Sequence, residues 1–349
     1  MMYNDFRITK CPNIIANKLS SSIAMTTYNG ERFLIEQLKS LNNQTRKPDE
    51  VVICDDGSKD NTVALIKKFI ENNDLHTSWK LVVNEINKGY TLNYLDCAAM
   101  TKGDVIFFCD QDDIWDNIKI EKMMYEFENN HSITAMGCSI SCIDSEGNKN
   151  NNAINKMRMG KGGIDQISFA RQARDNVSVG LTLAVRREVL GYLAPIIRRY
   201  NLPFDTPIGL FTSVTGGYYR LYQPLVYRRV HENNISTPKY TLKSRLKNVD
   251  SHILGRQMHV DLMKVCLECN ESILNDMNKQ NLRNTISAYE QSILNIKHGK
   301  IFPLFLEIFS RNPMSNRIIA VVNFLCATFG KKPEVIAPED HFLNSTSKK

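Results

Sequence analysis

The chain has 349 residues, of which 42% are apolar, and it carries a formal net charge of +7. This composition excludes a disordered chain, and the length allows one large α/β domain with an appendage. The charge is uneven, because residues 1–238 hold 28 basic and 27 acidic residues and residues 239–349 hold 16 and 10. The basic last third favours contact with an anionic membrane surface. We expect no nucleic acid partner, since no nucleic-acid-binding motif is present.

The apolar segments and the cysteines predict a cytoplasmic protein, with peripheral contact at the inner face of the cell membrane as an alternative. Residues 1–20 lack the apolar core of a signal peptide, and the longest apolar stretch, Ile318–Phe329, is too short to span a bilayer. Nine cysteines are scattered, several of them in apolar segments, which predicts buried, reduced thiols. Cys266 and Cys269 have CxxC spacing, but without a second ligand pair we expect no metal or redox role there.

The first predicted strand is Ser22–Thr27. It is followed by the turn Thr27-Tyr28-Asn29-Gly30 and by a predicted helix over Glu31–Asn42. A second strand, Glu50–Cys54, runs directly into the acidic turn Asp55-Asp56-Gly57-Ser58-Lys59-Asp60. Helix capping explains the last aspartate of this turn but not the first two. Those two carboxylates suit a ligand that donates hydrogen bonds, such as a pyrimidine N3–H or ribose hydroxyls.

A third strand, Lys80–Asn84, leads through Asn87-Lys88-Gly89-Tyr90 to a predicted helix over Thr91–Met100. In this turn Asn87 and Lys88 either touch a diphosphate or are simply solvated. Repeated strand, turn and helix units predict a parallel sheet joined by right-handed crossovers.

The fourth strand, Val105–Cys109, is apolar throughout, which is typical of a parallel strand buried on both faces. Four aspartates follow within seven positions. Asp116 is expected to cap the amphipathic run Ile118–Phe127, but one cap does not explain Asp110-Gln111-Asp112. Asp110 and Asp112 are therefore predicted as oxygen ligands of Mg²⁺ or Mn²⁺, at the strand ends where open α/β sheets bind ligands.

The second half of the chain is less regular. Thr134–Cys142 and Val177–Val185 are predicted as strands, and the polar run Asp144–Asn152, with the glycines at 160, 162 and 163, predicts a long loop. This loop is either an acceptor-side flap or disordered. Pro224–Val230 is predicted as the last strand, and along it Arg228 and Arg229 face opposite sides, so only one arginine need face a site.

The region from Thr241 onward is predicted to be helical. Apolar residues at helical spacing form core stripes there: Leu242, Leu246, Val249, Ile253, Leu282, Ile286, Tyr289 and Ile293. The segments Ile301–Phe309 and Ile318–Phe329 are apolar nearly all round, and basic residues flank them. They either pack in a helical subdomain or oligomer, or lie on a membrane. Packing is slightly favoured.

These motifs together resemble the family 2 inverting glycosyltransferases of the GT-A fold. Asp110-Gln111-Asp112 is similar to their D-x-D signature, Asp55-Asp56-Gly57-Ser58 to their D-D-G-S motif, and the segment from Tyr227 to Asn234 to their closing Y-R-x-H-x-x-N motif. The resemblance covers roughly Ser21 to Asn234 and is strongest for rhamnosyltransferase-like bacterial enzymes that build surface polysaccharides, such as lipopolysaccharide or capsule.

The resemblance implies a role for each matching residue. Donor contacts are expected from Thr27, Tyr28, Asn29, Asp55, Asp56, Lys88, Asp110, Gln111 and Arg228. The metal ligands are expected to be Asp110, Asp112 and His231. Asp205 matches the catalytic base, although Phe204 stands where related enzymes carry histidine and the following aromatic residues are absent. Asp205 is the only carboxylate between Glu188 and Glu232, and the alternative is a cap on a helix that begins at Pro207.

We therefore expect a metal-dependent glycosyltransferase that moves a sugar from a nucleotide-diphosphate donor, dTDP-L-rhamnose before UDP-hexoses, to a glycan or lipid-linked glycan. A nucleotidyltransferase and a non-catalytic nucleotide- or carbohydrate-binding module are the alternatives. The expected fold is a Rossmann-like, mostly parallel sheet flanked by helices, with a helical C-terminal extension. The predicted divisions are an N-terminal extension (1–20), a catalytic domain (21–238) with a nucleotide-sugar half (21–116) and an acceptor half (117–238), a helical region (239–332) and a flexible tail (333–349).

Overall fold

The computed structural model describes residues 18–150, 162–200, 203–232, 249–269 and 274–309, together with residues 234, 321, 323, 325 and 328. They divide into two compact units. Unit 1 takes the described residues up to Asp165, with Val179–Ala194 and Tyr219–Arg229. Unit 2 takes Gln166–Ser178, Pro195–Tyr218 and the described residues from Val230 onward. Each unit is described by itself below.

The parallel part of the sheet forms from the first four strands, in the order β3-β2-β1-β4. These are β1 (Ser21–Thr27), β2 (Glu50–Asp55), β3 (Trp79–Val83) and β4 (Val105–Cys109). Every residue of β4 is buried, as expected for a strand covered on both faces. The chain moves outward from β1 to β3 and then returns to the other side of β1, so the strand order reverses between β1 and β4.

Four amphipathic helices accompany these strands: α1 (Leu34–Asn42), α2 (Thr62–Asn72), α3 (Tyr90–Met100) and α4 (Lys119–Asn129). Their apolar residues recur at three- and four-residue intervals, so one face of each is buried. In α1 this face is Leu34, Leu38 and Leu41, and in α4 it is Ile120, Met123, Met124 and Phe127. These side chains join the strands in one apolar core.

The rest of the sheet contains antiparallel strand pairs, in which Val226 pairs with Trp115, Ile106 with Val185, Cys142 with Asn150 and Met136 with Ala184. After β4 the sheet continues in the order β9-β6-β10-β5, with β7 beside β6 and β8 beside β10. Their bounds are β5 (Ile114–Trp115), β6 (Ala135–Ile143), β7 (Lys149–Asn150), β8 (Ile164–Gln166), β9 (Leu183–Arg186) and β10 (Tyr218–Arg229). The sheet is therefore mixed. Because β4 pairs with β9, the predicted nucleotide-sugar half (21–116) and acceptor half (117–238) share one sheet. The predicted domain boundaries stay predictions.

The other described helices are Phe169–Asp175, Arg187–Tyr200, Asp205–Val214, Val249–Cys269, Asp276–Lys297 and Ile301–Phe309. The predicted stripe residues Val249, Ile253, Leu282, Ile286 and Ile293 are buried, which confirms that these segments pack. The described cysteines include free, buried thiols at Cys54, Cys97, Cys109 and Cys266, as predicted. Each helix in the described part of the chain is too short or too polar to span a bilayer.

Three local predictions fare differently. Val177–Val185 is not one strand, because Gly180–Thr182 forms a 3₁₀ turn and the strand begins at Leu183. The described start of the predicted loop is a tight turn before β7, since Asp144 Oδ1 accepts hydrogen bonds from the backbone N–H groups of Glu146 and Asn148. Ile118 occupies the N-cap position of α4, but Asp116 Oδ1 accepts a hydrogen bond from the Ile118 N–H at 3.2 Å, so Asp116 does support the start of this helix.

Several element boundaries also differ, and α1 begins at Leu34 rather than Glu31. The helix predicted to begin at Pro207 begins at Asp205, and the last strand begins at Tyr218 rather than Pro224. Other predicted features lie outside the described residues: most of the N-terminal extension, residues 151–161 of the predicted loop, Leu242 and Leu246, most of Ile318–Phe329, and the tail from residue 333.

Candidate functional site

The predicted donor residues of unit 1 meet at one edge of the sheet. Because β1, β2 and β4 are adjacent and parallel, their carboxyl ends lie side by side. Thr27 at the end of β1 pairs in register with Asp55 at the end of β2, and Cys109 at the end of β4 pairs with Met25. The edge also contains the point where the strand order reverses, which is the usual ligand position in open α/β sheets.

Asp55 is fully buried and organises the turn after β2. Its Oδ2 accepts hydrogen bonds from Thr27 Oγ1 (2.8 Å) and Ser58 Oγ (2.6 Å), and its Oδ1 accepts from the backbone N–H groups of Gly57 (3.1 Å) and Ser58 (2.8 Å). A carboxylate has about four acceptor positions, so these four bonds use its capacity. Asp55 therefore shapes the site by tying β1 to the turn after β2.

Asp56, also buried, holds the turn before α3. Its Oδ1 accepts from Asn84 Nδ2 and from the Lys88 backbone N–H, both at 2.9 Å, and its Oδ2 accepts from the Gly89 N–H at 2.9 Å. Gly89 has a φ of 82°, a conformation that favours glycine. The Lys88 ammonium group pairs with Asp96 at 2.8 Å, and this hydrogen bond raises the pKa of Lys88. Lys88 is thus held beside the site by its partner on α3.

The turn after β1 is fastened to its two neighbours. Gln111 accepts from the Tyr28 N–H at 2.7 Å and donates to the Tyr28 carbonyl at 3.0 Å, so its amide clasps the backbone of that residue. A Cβ added at Gly30 would lie 2.2 Å from Gln111 Oε1, so only glycine admits the clasp. On the other side, Asn29 Oδ1 accepts from the Lys59 N–H at 2.8 Å. Gln111 therefore joins the D-x-D loop to the first turn.

The acidic loop after β4 is held by a tyrosine and an arginine. Tyr94 donates a hydrogen bond from its hydroxyl to Asp110 Oδ1. Arg229, 1% exposed, donates from Nε to the Asp112 carbonyl at 3.1 Å and from its backbone N–H to Asp113 Oδ1 at 3.0 Å. Its guanidinium also pairs with Glu36 and lies over the ring of Phe33. Arg229 is accordingly the structural arginine of the pair.

Asp113 is the least satisfied member of this loop. It is 2% exposed, and its Oδ2 has no hydrogen-bond partner among the described residues. Burial raises the pKa of Asp113 well above its usual range, and the negative charges of Asp112 and Asp110 raise this pKa further. The positive charge of Arg228 lowers this pKa, so Arg228 lies within electrostatic reach of the loop.

The carboxylate oxygens of this loop are suitable ligands for a hard divalent cation. Among the described residues no group of three or more His, Cys, Asp and Glu side chains could hold a metal by itself. Mg²⁺ does not require one, because it is commonly bound by one or two carboxylates together with substrate phosphates and water. Asp110 and Asp112 can supply those carboxylates. After burial, the negative charges of Asp112 and Asp110 are what raises the pKa of Asp113, and a cation would offset these charges.

Two predicted residues lie in unit 2. Asp205 is half-buried in the first turn of its helix, and its Oδ1 accepts from the Thr206 N–H at 2.8 Å. It makes no side-chain cap bond, because the cap position is Phe204. His231 is bracketed by Asn234, whose Oδ1 accepts from the His231 N–H at 2.7 Å and whose Nδ2 lies 3.1 Å from Nε2. This amide orientation makes Nε2 an acceptor, so metal ligation through Nε2 would displace Asn234.

The structure thus brings together ten predicted residues in unit 1: Thr27, Tyr28, Asn29, Asp55, Asp56, Lys88, Asp110, Gln111, Asp112 and Arg228. Sequence reasoning missed Tyr94, Asp113 and Arg229. The alternation along β10 indicated that one arginine faces away from the site, but it did not say which. No sequence signal pointed to Tyr94, because its partner Asp110 is on a different strand–helix unit.

Comparisons with known proteins bear on this site. Residues 22–191 match the family model described as Glycosyl transferase family 2. An uncharacterized glycosyltransferase of Haemophilus influenzae is 33% identical over 128 residues, which are 37% of this chain and 50% of that protein. UDP-Glc:alpha-D-GlcNAc-diphosphoundecaprenol beta-1,3-glucosyltransferase WfgD of Escherichia coli is 32% identical over 126 residues, 32% of this chain and 48% of that protein. The chain thus spans about half the length of these two relatives.

A solved structure gives the same fold. The crystal structure of S. aureus TarS in complex with UDP-GlcNAc superimposes with a TM-score of 0.55 and 17% identity, covering 79% of this chain and 73% of that one. At this identity the likeness is evidence of the fold alone. It confirms the predicted α/β architecture of the GT-A type.

Proposed function

Since residues 22–191 match the family model of glycosyl transferase family 2, we propose that this chain is an inverting glycosyltransferase that uses a nucleotide-diphosphate sugar. The acceptor would be a glycan or a lipid-linked glycan in surface polysaccharide synthesis. The observation that carries the proposal is the Gln111 clasp on Tyr28, which joins the D-x-D loop to the first turn at the edge where the strand order reverses. Ligand-binding loops and acidic metal-ligand candidates meet there in one hydrogen-bonded assembly.

The donor would bind across the turns after β1, β2 and β4. Tyr28 is 46% exposed and can offer its ring to a base, whereas Asp55 and Asp56 are engaged with their own turns and would shape the surface that the nucleotide meets. Arg228 can pair with diphosphate oxygens, and Lys88 can do so if it exchanges Asp96 for the phosphate. Asp110 and Asp112 would hold Mg²⁺ or Mn²⁺, with His231 as a candidate nitrogen ligand.

The chemistry is one displacement at the anomeric carbon. A bound divalent cation would supply charge neutralisation for the departing diphosphate. Asp205 is proposed as the general base that accepts the proton of the acceptor hydroxyl, a role worth about 10² to 10⁴ in rate. Asp205→Asn should keep folding and donor binding while transfer falls by that factor; transfer within a few fold of the parent would show that the base lies elsewhere.

The donor sugar is the finer part of the proposal. The motif resemblance favours dTDP-L-rhamnose, and the name of the relative WfgD adds UDP-glucose. We therefore propose a hexose or deoxyhexose donor on a pyrimidine nucleotide. The deciding experiment measures hydrolysis and transfer from a panel of dTDP-rhamnose, UDP-glucose, UDP-GlcNAc and GDP-mannose, with Mg²⁺, with Mn²⁺ and with EDTA. If no nucleotide sugar of the panel turns over in the presence of a lipid-linked acceptor mixture, the proposed glycosyltransferase activity is contradicted. A preference for GDP-mannose would contradict the proposed pyrimidine nucleotide of the donor.

We propose that the helix Ile301–Phe309 of unit 2 contacts a membrane surface. On the helix Ile301–Phe309, Phe302 is 71% exposed and Leu306 is 52% exposed, whereas Leu304 is fully buried. The exposed residues Lys297 and Lys300 precede this helix. Exposed apolar and basic side chains together are typical of contact with an anionic bilayer, which each basic residue favours by about 1 kcal/mol.

Flotation with phosphatidylserine vesicles tests this contact. Binding should weaken as salt rises and should weaken further in Phe302→Ser. Met277→Ser is the matched control, because Met277 is 69% exposed on another helix of the same unit. Absence of binding at low salt would contradict membrane contact, and self-association lost in Phe302→Ser would instead identify an oligomer interface.

A further inference from the structure

Tyr94 lies beneath the acidic loop, on α3. It is 2% exposed, and its ring meets the ring of Phe108 edge-on, with centroids 5.7 Å apart and an interplanar angle of 76°. Because side chains alternate along an extended chain, Phe108 and Asp110 face the same side, and Tyr94 contacts both. Packing therefore fixes the ring whose hydroxyl reaches Asp110.

The hydrogen bonds of Tyr94 have a definite direction. Its hydroxyl bonds with Asp110 Oδ1 and also with the side chain of Thr26 on β1. An ionised carboxylate can only accept, so Tyr94 donates to Asp110 and Thr26 donates to Tyr94. A tyrosine hydroxyl ordinarily keeps its proton at neutral pH, so Tyr94 is a neutral hydrogen-bond donor.

A neutral hydrogen-bond donor is a suitable partner for a carboxylate that has to bind a cation. A lysine or arginine at this position would hold Asp110 equally well, but it would cancel the negative charge that attracts a metal. A tyrosine restrains the carboxylate and leaves its charge intact. Such outer partners of metal ligands are typically worth 10- to 100-fold in metal affinity.

We propose that Tyr94 is a positioning residue that holds Asp110 for divalent-cation binding. This role rests on the proposed function, since it requires Asp110 to be a metal ligand. Tyr94 does not touch the reacting groups in this proposal and acts only through Asp110. Its removal should therefore change the affinity for the metal more than the rate at saturating metal.

The test exchanges one hydroxyl. Tyr94→Phe keeps the ring against Phe108 and removes only the bond to Asp110. Tyr227→Phe is the matched control, because the Tyr227 hydroxyl donates at 3.1 Å to Asp116 Oδ2, an aspartate not proposed as a ligand. Mn²⁺ is titrated onto each protein with UDP present, and free Mn²⁺ is followed by electron paramagnetic resonance. Thermal melting without metal compares their folding.

We expect Tyr94→Phe to raise the Mn²⁺ dissociation constant about 10- to 100-fold and Tyr227→Phe to leave it within about twofold. Saturating Mn²⁺ should restore transfer by Tyr94→Phe to within a few fold of the parent. An unchanged dissociation constant in Tyr94→Phe, or equal weakening in both variants, would overturn the role. If the parent binds no Mn²⁺, the metal site fails along with this role, and the sugar-nucleotide panel still reports separately on the enzyme.

A second variant keeps the proposal testable if Tyr94→Phe does not fold. Thr26→Val preserves Tyr94 and removes only the hydroxyl that orients it. A smaller increase in the Mn²⁺ dissociation constant, in the same direction, would support the role. An unchanged constant in a folded Thr26→Val, with Tyr94→Phe unfolded, would overturn it.

Discussion

The loops that follow β2 and β4 each bury an aspartate in unit 1, but they treat it differently. Asp55, fully buried, accepts four hydrogen bonds from the hydroxyls of Thr27 and Ser58 and from two backbone N–H groups. Asp113, 2% exposed, accepts one from the Arg229 N–H, and its Oδ2 has no partner among the described residues. Equal burial therefore comes with very unequal compensation.

This difference assigns the two loops different tasks. An unpaired buried charge is costly. The carboxylates of the loop after β2 already have their hydrogen-bond partners, so this loop is complete without a ligand. The loop after β4 keeps three carboxyl groups close enough for Asp110 and Asp112 to raise the pKa of Asp113. Such a loop gains stability from a cation. The first loop should thus respond to mutation in its folding, and the second in its binding.

The largest expected effect is on binding by the second loop. Asp112→Asn removes a proposed ligand, so metal-dependent donor binding should be lost and transfer should fall by several kcal/mol of barrier, on the order of 10³-fold. Its free energy of unfolding should stay within about 1 kcal/mol of the parent. Calorimetry with nucleotide sugar and denaturant unfolding measure the two quantities. Full donor affinity and turnover in excess EDTA would contradict the assignment.

The next effect is on folding, through the first loop. Asp55→Ala leaves several buried donors without an acceptor, each costing about 1 to 3 kcal/mol unless water reaches it, so we expect a loss of about 3 kcal/mol in the free energy of unfolding. Asp113→Ala is the matched control, since it deletes one hydrogen bond and also a poorly compensated charge, and should cost less than half as much. Urea unfolding of both variants checks this ranking. Equal losses would erase the distinction between the loops.

Sequence patterns predicted the scaffold well where the signal is local. Five consecutive apolar residues identified β4, and helical spacing identified the helices α1 and α4, although the face of α1 also includes Leu34. The position of the acidic motifs at strand ends followed from the same patterns, because parallel strands bring their carboxyl ends to one edge. The strands' registers then placed Thr27 beside Asp55 and the end of β4 beside β1.

The sequence could not show which acidic residues are already satisfied. From the sequence alone Asp55 resembles a ligand-binding residue, because its hydrogen-bond partner Thr27 is 28 residues away along the chain. Arg229 bonds to carbonyls more than 80 residues away, and Tyr94 reaches a different strand–helix unit. The start of one helix was misplaced for a related reason, since a helix can begin a residue or two away at the same polar cluster, as at Asp205, two residues before the predicted Pro207.

Arg229 is expected to have an intermediate effect, because it supports the second loop from within. Arg229→Met keeps much of the side-chain length but removes the donors to the carbonyls of Asp112, Asp144 and Ser145. Its ion pair with Glu36 adds little, since the Glu36 side chain is 56% exposed. We expect a loss of about 2 kcal/mol in the free energy of unfolding.

Arg228→Met is the neighbouring control for this prediction. Arg228 is proposed to meet the diphosphate, so its variant should weaken donor binding more than it weakens folding. Urea unfolding and nucleotide-sugar titration of both variants separate the two arginines. The reverse pattern, with Arg228 stabilising the fold and Arg229 binding the donor, would show that the assignment of the two faces of β10 is wrong.

The last prediction concerns the protonation of Asp113 itself. Because its pKa is raised in the folded protein, the folded state holds a proton at pH values where the unfolded chain has released it. The free energy of unfolding should therefore fall as pH rises from the ordinary aspartate pKa of about 3.9 toward the raised value, by up to about 1.4 kcal/mol per pH unit. Asp113→Asn cannot titrate, so its stability relative to the parent should improve progressively across that window. Urea unfolding of the parent and of Asp113→Asn at half-unit pH steps gives the difference curve, and a flat curve would mean that the pKa of Asp113 is not raised in the folded protein.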